Sequence, residues 1–169
     1  AFEVDELPFD VPTGWVWTRL GALGVAQHNA ISDGPFGSKL KKSHYIDEPG
    51  HRVLRLGNIG AGVFKDHDRS YISADYFQQL AAYHLQEDDM LVASLGNPVG
   101  RACLVPEHSL PALNKADCFR VRLHQAVSPT FACVVMNSPS GAARAGGLKR
   151  GDTRGRINLT HLRMTPVPL

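Results

Sequence analysis

The 169-residue chain has only three cysteines, Cys103, Cys118 and Cys133, each 15 positions from the next. An odd number without a C-x-x-C pair excludes a disulfide framework and a zinc ribbon. Cys103 and Cys133 lie in apolar runs, so the cysteines read as small buried hydrophobes in a reducing compartment. Long hydrophobic runs are also lacking. Nothing approaches the roughly 18 apolar residues of a membrane span, and no secretory leader is visible at the start. The usual catalytic signatures are missing as well. There is no G-x-S-x-G, no H-E-x-x-H and no phosphate-binding G-x-x-x-x-G-K-[ST]. Gly57–Gly62 (GNIGAG) has glycines at the wrong spacing for a dinucleotide site, and no helical pattern follows it. The eight histidines show no metal-ligand spacing. Asp66 and Asp68 lack the other ligands of a calcium loop.

Hydrophobic residues make up 43% of the chain and charged residues 20%, the balance of a globular domain. The length suits one domain that buries about 70% of its unfolded surface without metal or disulfide. Residues 1–14 hold acids and the turn signals Pro8, Pro12 and Gly14, and read as a lead-in. Residues 15–169 read as a single domain.

Within it, Trp15–Leu20 alternates as a strand, with Trp15 and Trp17 on one face. Residues 28–50 are mostly loop, Arg52–Leu56 is a short strand, and 57–70 is polar loop. Ser73 predicts a helix cap over 74–84. Met90–Ser94 and Gly100–Val105 predict a hairpin around Gly96-Asn97-Pro98. Phe119–Leu123 reads as a strand with one wet, arginine-bearing face. Ser128-Pro129 starts a buried helix to about Asn137, and Ser138-Pro139 a second one to about Leu148. Thr160 is a candidate cap for a final helical turn, before an extended TPVPL end. The fold class is α+β: a compact, strongly twisted antiparallel or mixed sheet, a few packed helices and long loops.

The net charge of +2 conceals a segregation. Residues 1–33 balance at −4, 34–64 at +3, 65–90 at −4 and 91–169 at +7. A positive face of this kind suits a polyanion such as nucleic acid. Two basic clusters stand out, Lys39/Lys41/Lys42 and Lys149/Arg150/Arg154/Arg156, both interleaved with glycine and hydroxyl residues. Such spacing lets backbone N–H groups reach phosphate oxygens. Solvated loops that happen to be basic would look the same from charge alone.

The loop motifs, taken in order, carry more. They are LPFDVPTGWVWTRLG (Leu7–Gly21), ISDGPFGSKLKKSHY (Ile31–Tyr45), RVLRLGNI (Arg52–Ile59), DMLVASLGNPVGR (Asp89–Arg101), MNSPSG (Met136–Gly141) and GDTRGRINLTHLRMTPVPL (Gly151–Leu169). In this order they resemble a target recognition domain of the specificity subunit of Type I restriction–modification enzymes, over about residues 7–169. Asp88, Leu95 and Asp152 depart from the family's usual residues.

The resemblance implies a non-catalytic reader of one half of a split double-stranded DNA site, in the cytoplasm of a bacterium or archaeon, at the nucleoid and not at a membrane. Its implied partners are modification and restriction subunits and a second recognition domain, in the same chain or in a dimer. Modification subunits methylate adenine with S-adenosylmethionine, and restriction subunits use ATP and Mg, so the chain itself is expected to bind no cofactor. The start at Ala1 favours a piece of a longer subunit over a natural half-length form.

Three loops become the expected DNA contacts. The first supplies Gly34, Phe36, Gly37, Ser38, Lys39, Lys41 and Lys42, with Phe36 expected to pack beneath the loop or to press on a thymine methyl. The hairpin tip supplies Asn97 and Arg101. The basic loop supplies Lys149, Arg150, Thr153, Arg154 and Arg156, and Asn58 begins a further loop. No residue is expected to be catalytic or to ligate metal. Three alternatives remain open at this stage: the recognition part of a fused restriction–methyltransferase enzyme, a small hydrolase using Asp89 and a histidine, and a protein-interaction module using the acidic stretch 65–90.

Overall fold

In the computed structural model, residues 7, 9–141 and 155–169 are described. In chain order the elements are β1 (Trp17–Arg19), β2 (Ile31–Ser32), β3 (Tyr45–Ile46), β4 (His51–Leu54), β5 (Tyr71–Ile72), α1 (Ala74–Gln79), β6 (Met90–Ala93), β7 (Ala102–Leu104), β8 (Ala112–Asn114), β9 (Cys118–Val121), α2 (Pro129–Asn137), α3 (Leu159–Met164) and β10 (Pro166–Pro168). The architecture is α+β, with one antiparallel and one mixed sheet. The first sheet has the order β2-β9-β6-β7 and is antiparallel throughout. The second has the order β3-β5-β4-β8, and its β4–β8 pair is parallel. A short antiparallel ribbon joins β1 to β10.

The sheets stack, and strand periodicity explains how. Successive side chains of a strand point to opposite faces. In β6, Met90 and Val92 face the core shared with α2 and α3, whereas Leu91 and Ala93 face the core between the two sheets. Both faces are covered, so the strand is apolar at every position, which is why MLVA reads as a run and not as an alternation. The second sheet divides the same way. Leu54 and Ala112 face the inter-sheet core, while Val53 and Leu113 pack under α1 with Phe77, Leu80 and Leu40. Burying each large apolar side chain contributes about 1.5–3 kcal/mol.

The expected hairpin is present as β6–β7. Ser128 caps α2 as expected, its Oγ accepting from Phe131 N at 3.3 Å. Ser73 caps α1 through Tyr76 N, but the helix ends at Gln79 and a 3₁₀ turn, Ala81–Tyr83, replaces its second half. The cap of α3 is Asn158, not Thr160: Asn158 Oδ1 accepts from His161 N at 2.8 Å. Trp15 precedes β1 and meets Phe131, while Trp17 lies in β1 and packs on Phe9. The Trp17 indole N–H donates to Phe9 O, which docks part of the lead-in. Most of the helix expected after Pro139 lies outside the described residues.

The wet face expected of β9 does not exist. Arg120 is only 4% exposed. The face of the sheet beneath it is covered by the segment that follows α1. The Arg120 guanidinium donates to Ala82 O, His84 O and Asn29 O, and Arg122 forms a two-pronged pair with Asp89. Burial, with Arg122 nearby, holds the Arg120 guanidinium below its ordinary pKa. Alternation of apolar and basic residues marks a two-faced strand, but a sequence does not say whether carbonyls or water meet the basic face.

All three thiols are free and buried. Burial pushes the Cys103 thiol up to about 12, and raises Cys118 and Cys133 as well. A thiolate is the reacting species, so these groups are inert. At neutral pH the native protein is expected to leave a thiol-specific disulfide reagent unconsumed, with all three thiols titrating only in concentrated guanidinium. Fast labelling of the native protein would contradict this placement.

Candidate nucleic-acid interface

The turn Lys115–Asp117 between β8 and β9 is a hub on which separate parts of the sequence converge. Gly34 is buried against it, so closely that a Cβ at that position would lie 2.3 Å from the Lys115 carbonyl carbon. The carboxylate of Asp33 accepts from Gly34 N at 2.9 Å and from Asp117 N at 3.0 Å. Burial raises the Asp33 pKa, and these two N–H groups oppose the rise. The hairpin tip is tied to the same turn. Ser94 donates through its N to Asp117 O at 3.0 Å and through its Oγ to Asp117 Oδ1 at 3.2 Å. Arg156 arrives from the other side, pairing with Asp117 at 2.6 Å, bridging Leu95, and followed by Ile157 N donating to Ser94 O. The first loop, the hairpin tip and the end of the basic loop are therefore neighbours, although they lie far apart in sequence.

The first loop is braced along its length. Tyr76 OH donates to Lys39 O at 2.6 Å, and Lys39 Nζ donates to Tyr83 OH at 3.3 Å. Lys41 N donates to His44 Nδ1, and the His44 ring packs tilted against Tyr76, with centroids 4.3 Å apart. Gly37 adopts φ +54° with open space around it, the left-handed turn that favours glycine. Gly37, Ser38, Lys39, Lys41 and Lys42 are exposed. Phe36 is 52% exposed, so it does not pack beneath the loop. Asn97 stands exposed at the hairpin tip. Lys149, Arg150, Thr153 and Arg154 lie outside the described residues.

Asn58 and Arg101, like Gly34, make their contacts within the fold. Asn58 is fully buried: its Oδ1 accepts from Arg55 N, and its Nδ2 donates to Lys65 O and His67 O. It shapes the 58–67 loop from inside and has no donor left for DNA. Arg101 is half-buried, and its guanidinium donates to Ile59 O, Leu95 O, Pro98 O and Leu56 O at 2.7–3.3 Å. It pins the hairpin tip to the loop after β4. Loop carbonyls without strand partners need donors, and both side chains supply them.

Sequence reasoning missed Arg55 and Lys115. They come together because β4 and β8 pair in parallel and Lys115 N donates to Leu54 O at 2.9 Å. Both line a cavity of about 640 Å³ with Lys42 and Arg69, and a smaller one of about 230 Å³ beside Asp117. Arg69 and Arg52 share the carboxylate of Asp66, and Arg69 above all holds that carboxyl below its ordinary pKa. The only local signal for Arg55 or Lys115 was a single cation at a strand end, too common to choose.

Among the described residues no group of histidine, cysteine and acidic side chains could hold a metal ion, and no helix is long and apolar enough to cross a membrane.

No protein-family profile matches the chain. Over 95 residues, 56% of its length, it is 34% identical to the Type I restriction enzyme EcoAI specificity subunit of Escherichia coli, of which it spans 14%. The fold matches a solved chain from a study of complex assembly and conformational transition of the type I R-M system, with TM-score 0.66 and 19% identity over 96% of this chain. It also matches the HsdS subunit of Thermoanaerobacter tengcongensis, with TM-score 0.62 and 18% identity over 96% of this chain. A third match is the Type I S subunit of M. genitalium, at TM-score 0.57 and 14% identity over 97% of this chain. The chain spans 34–36% of the length of these three solved chains. Local sequence likeness and whole-length fold likeness both fall on proteins of Type I restriction–modification systems.

Proposed function

We propose that this chain, taken as one recognition unit over residues 15–169, reads one half of a bipartite duplex DNA site for a Type I restriction–modification enzyme. The observation that carries the proposal is the convergence of three sequence-distant, cation-bearing segments on the turn Lys115–Asp117. A reader of duplex DNA needs polar side chains on loops that fit the major groove, held by a rigid base. Phe36–Lys39 and Asn97 are exposed on braced loops and supply such groups. Gly34, Asn58 and Arg101 build the base that holds them.

In this reading the chain performs no reaction and holds no cofactor. Adenine methylation with S-adenosylmethionine, and ATP- and Mg-dependent restriction, fall to modification and restriction subunits. A second recognition domain, in the same chain or in a partner copy, reads the other half-site. The setting is the cytoplasm, at the nucleoid.

One unit reading a few base pairs binds weakly, and joining two raises the effective concentration of the second. Fluorescence anisotropy with a random-sequence duplex is expected to give micromolar or weaker affinity at physiological salt, falling steeply as salt rises. Repeated selection from a randomised duplex pool is expected to enrich one short motif. Salt-insensitive retention, or a pool that stays random, would remove the proposal.

A further inference from the structure

We infer that Lys42, Arg55 and Lys115 form a clamp for one backbone phosphate of the bound duplex, a site that positions the DNA and does not read its sequence. The inference rests on the DNA-binding function proposed above and divides its labour.

Most arginines of the described residues are committed within the fold. Arg52 and Arg69 share Asp66, Arg122 holds Asp89 and Arg156 holds Asp117. Arg101, Arg120 and Arg163 donate to backbone carbonyls. Lys42, Arg55 and Lys115 have no carboxylate partner among the described residues, yet they line one cavity of about 640 Å³. Asp47 is the one carboxylate on its wall, and it pairs with none of the three. Like charges gathered with no carboxylate in pairing distance repel one another, so the arrangement favours an anion between them.

Geometry says which anion. Lys115 is not a free arm: its ammonium donates to Tyr45 OH at 3.3 Å and lies 5.5 Å from the centre of that ring. Arg55 is exposed, and among the described residues its side chain makes one hydrogen bond, a long one from Nη1 to Ser70 Oγ at 3.5 Å. Its planar fork suits two oxygens of one phosphate, while the lysines act as point charges. Lys115 and Arg55 also line the smaller cavity beside Asp117. The clamp therefore adjoins the hub that carries the exposed loops, so a strand held here brings base edges toward Phe36–Lys39 and Asn97. Phosphate contacts fix register, and base contacts carry specificity.

The test compares wild type with Arg55→Gln/Lys115→Gln and with Arg55→Gln alone. The single variant removes an exposed side chain with one weak bond, so its fold is safe. Each protein is titrated with a random-sequence duplex over a salt series and put through selection from a randomised duplex pool. The expected result is a loss of affinity by the same factor on every duplex. The slope of log affinity against log salt becomes shallower by about 0.9, the share of one phosphate. The enriched motif stays that of wild type. An unchanged slope in the double variant overturns the clamp and leaves the cations for another partner, such as an acidic protein segment. A changed or blurred motif also overturns it, because these side chains would then be reading bases. A wild type that shows neither salt-dependent binding nor enrichment defeats the DNA-binding function itself, a result distinct from either of these.

Discussion

Gly34→Ala is expected to uncouple the first loop from the rest of the interface. The added methyl carbon would sit 2.3 Å from the Lys115 carbonyl carbon and 2.4 Å from both Asn114 O and Lys115 O. All three atoms belong to backbone, so no side chain can rotate away, and one segment must move. Overpacking of this kind costs about 1–3 kcal/mol in stability. The functional loss should exceed the stability loss. Displacing Gly34 also strains the bonds from Gly34 N and Asp117 N to Asp33, the link between the loop and the hub. A loss of roughly tenfold or more in duplex affinity corresponds to about 1.4 kcal/mol, one or two polar contacts out of register. Gly37→Ala is the control. Gly37 has nothing within contact distance, and its φ of +54° makes alanine only locally strained, at about 1–2 kcal/mol. Thermal midpoints and anisotropy titrations of the two variants are expected to differ, with Gly34→Ala the worse in both. Equal behaviour would show that the loop does not depend on its seat against Lys115.

That seat illustrates what the sequence could and could not tell. The glycines of SDGPFG were visible as turn residues, and positive φ explains Gly37. Gly34 is glycine for a different reason, close approach to a turn far along the chain, and no local pattern distinguishes the two. Local signals did locate the β6–β7 hairpin, the Ser128 cap of α2 and the buried cysteines. Each depends on residues adjacent in sequence or on plain hydrophobicity. The differences concern polar residues whose partners are distant. Asn58 and Arg101 read as free donors because the carbonyls that occupy them belong to the folded loops. Arg55 and Lys115 carry no joint signal in the sequence, because only the parallel pairing of β4 with β8 makes them neighbours. A polar side chain's role is set by whether the fold supplies acceptors first or leaves the side chain to an outside ligand.

Asp89→Ala is expected to cause the largest loss of stability of any single change considered. The carboxylate is 2% exposed and accepts from Arg122 Nε at 2.8 Å, Arg122 Nη2 at 2.7 Å and Gln86 N at 2.8 Å. Its removal leaves Arg122 and the buried Arg120 side by side on one face of the sheet, both reaching His84 O, with no counter-charge. Breaking one side of such a pair costs about 3–5 kcal/mol, a large share of the roughly 5–15 kcal/mol that a domain possesses. The damage reaches the interface through a short route. Arg120 and Arg122 hold the carbonyls of Ala82 and His84, and between those residues stands Tyr83, the partner of Lys39. Urea unfolding should show the stability loss, and hydrogen exchange should show early opening over residues 81–86. The companion variant Asp89→Ala/Arg122→Met separates charge from packing. A stranded cation is the costly element, so replacing it with an apolar chain of similar length should recover part of the lost stability. If the double variant is as unstable as the sum of its parts, the pair acts through shape alone, and the reach from Asp89 to Lys39 must run through packing instead.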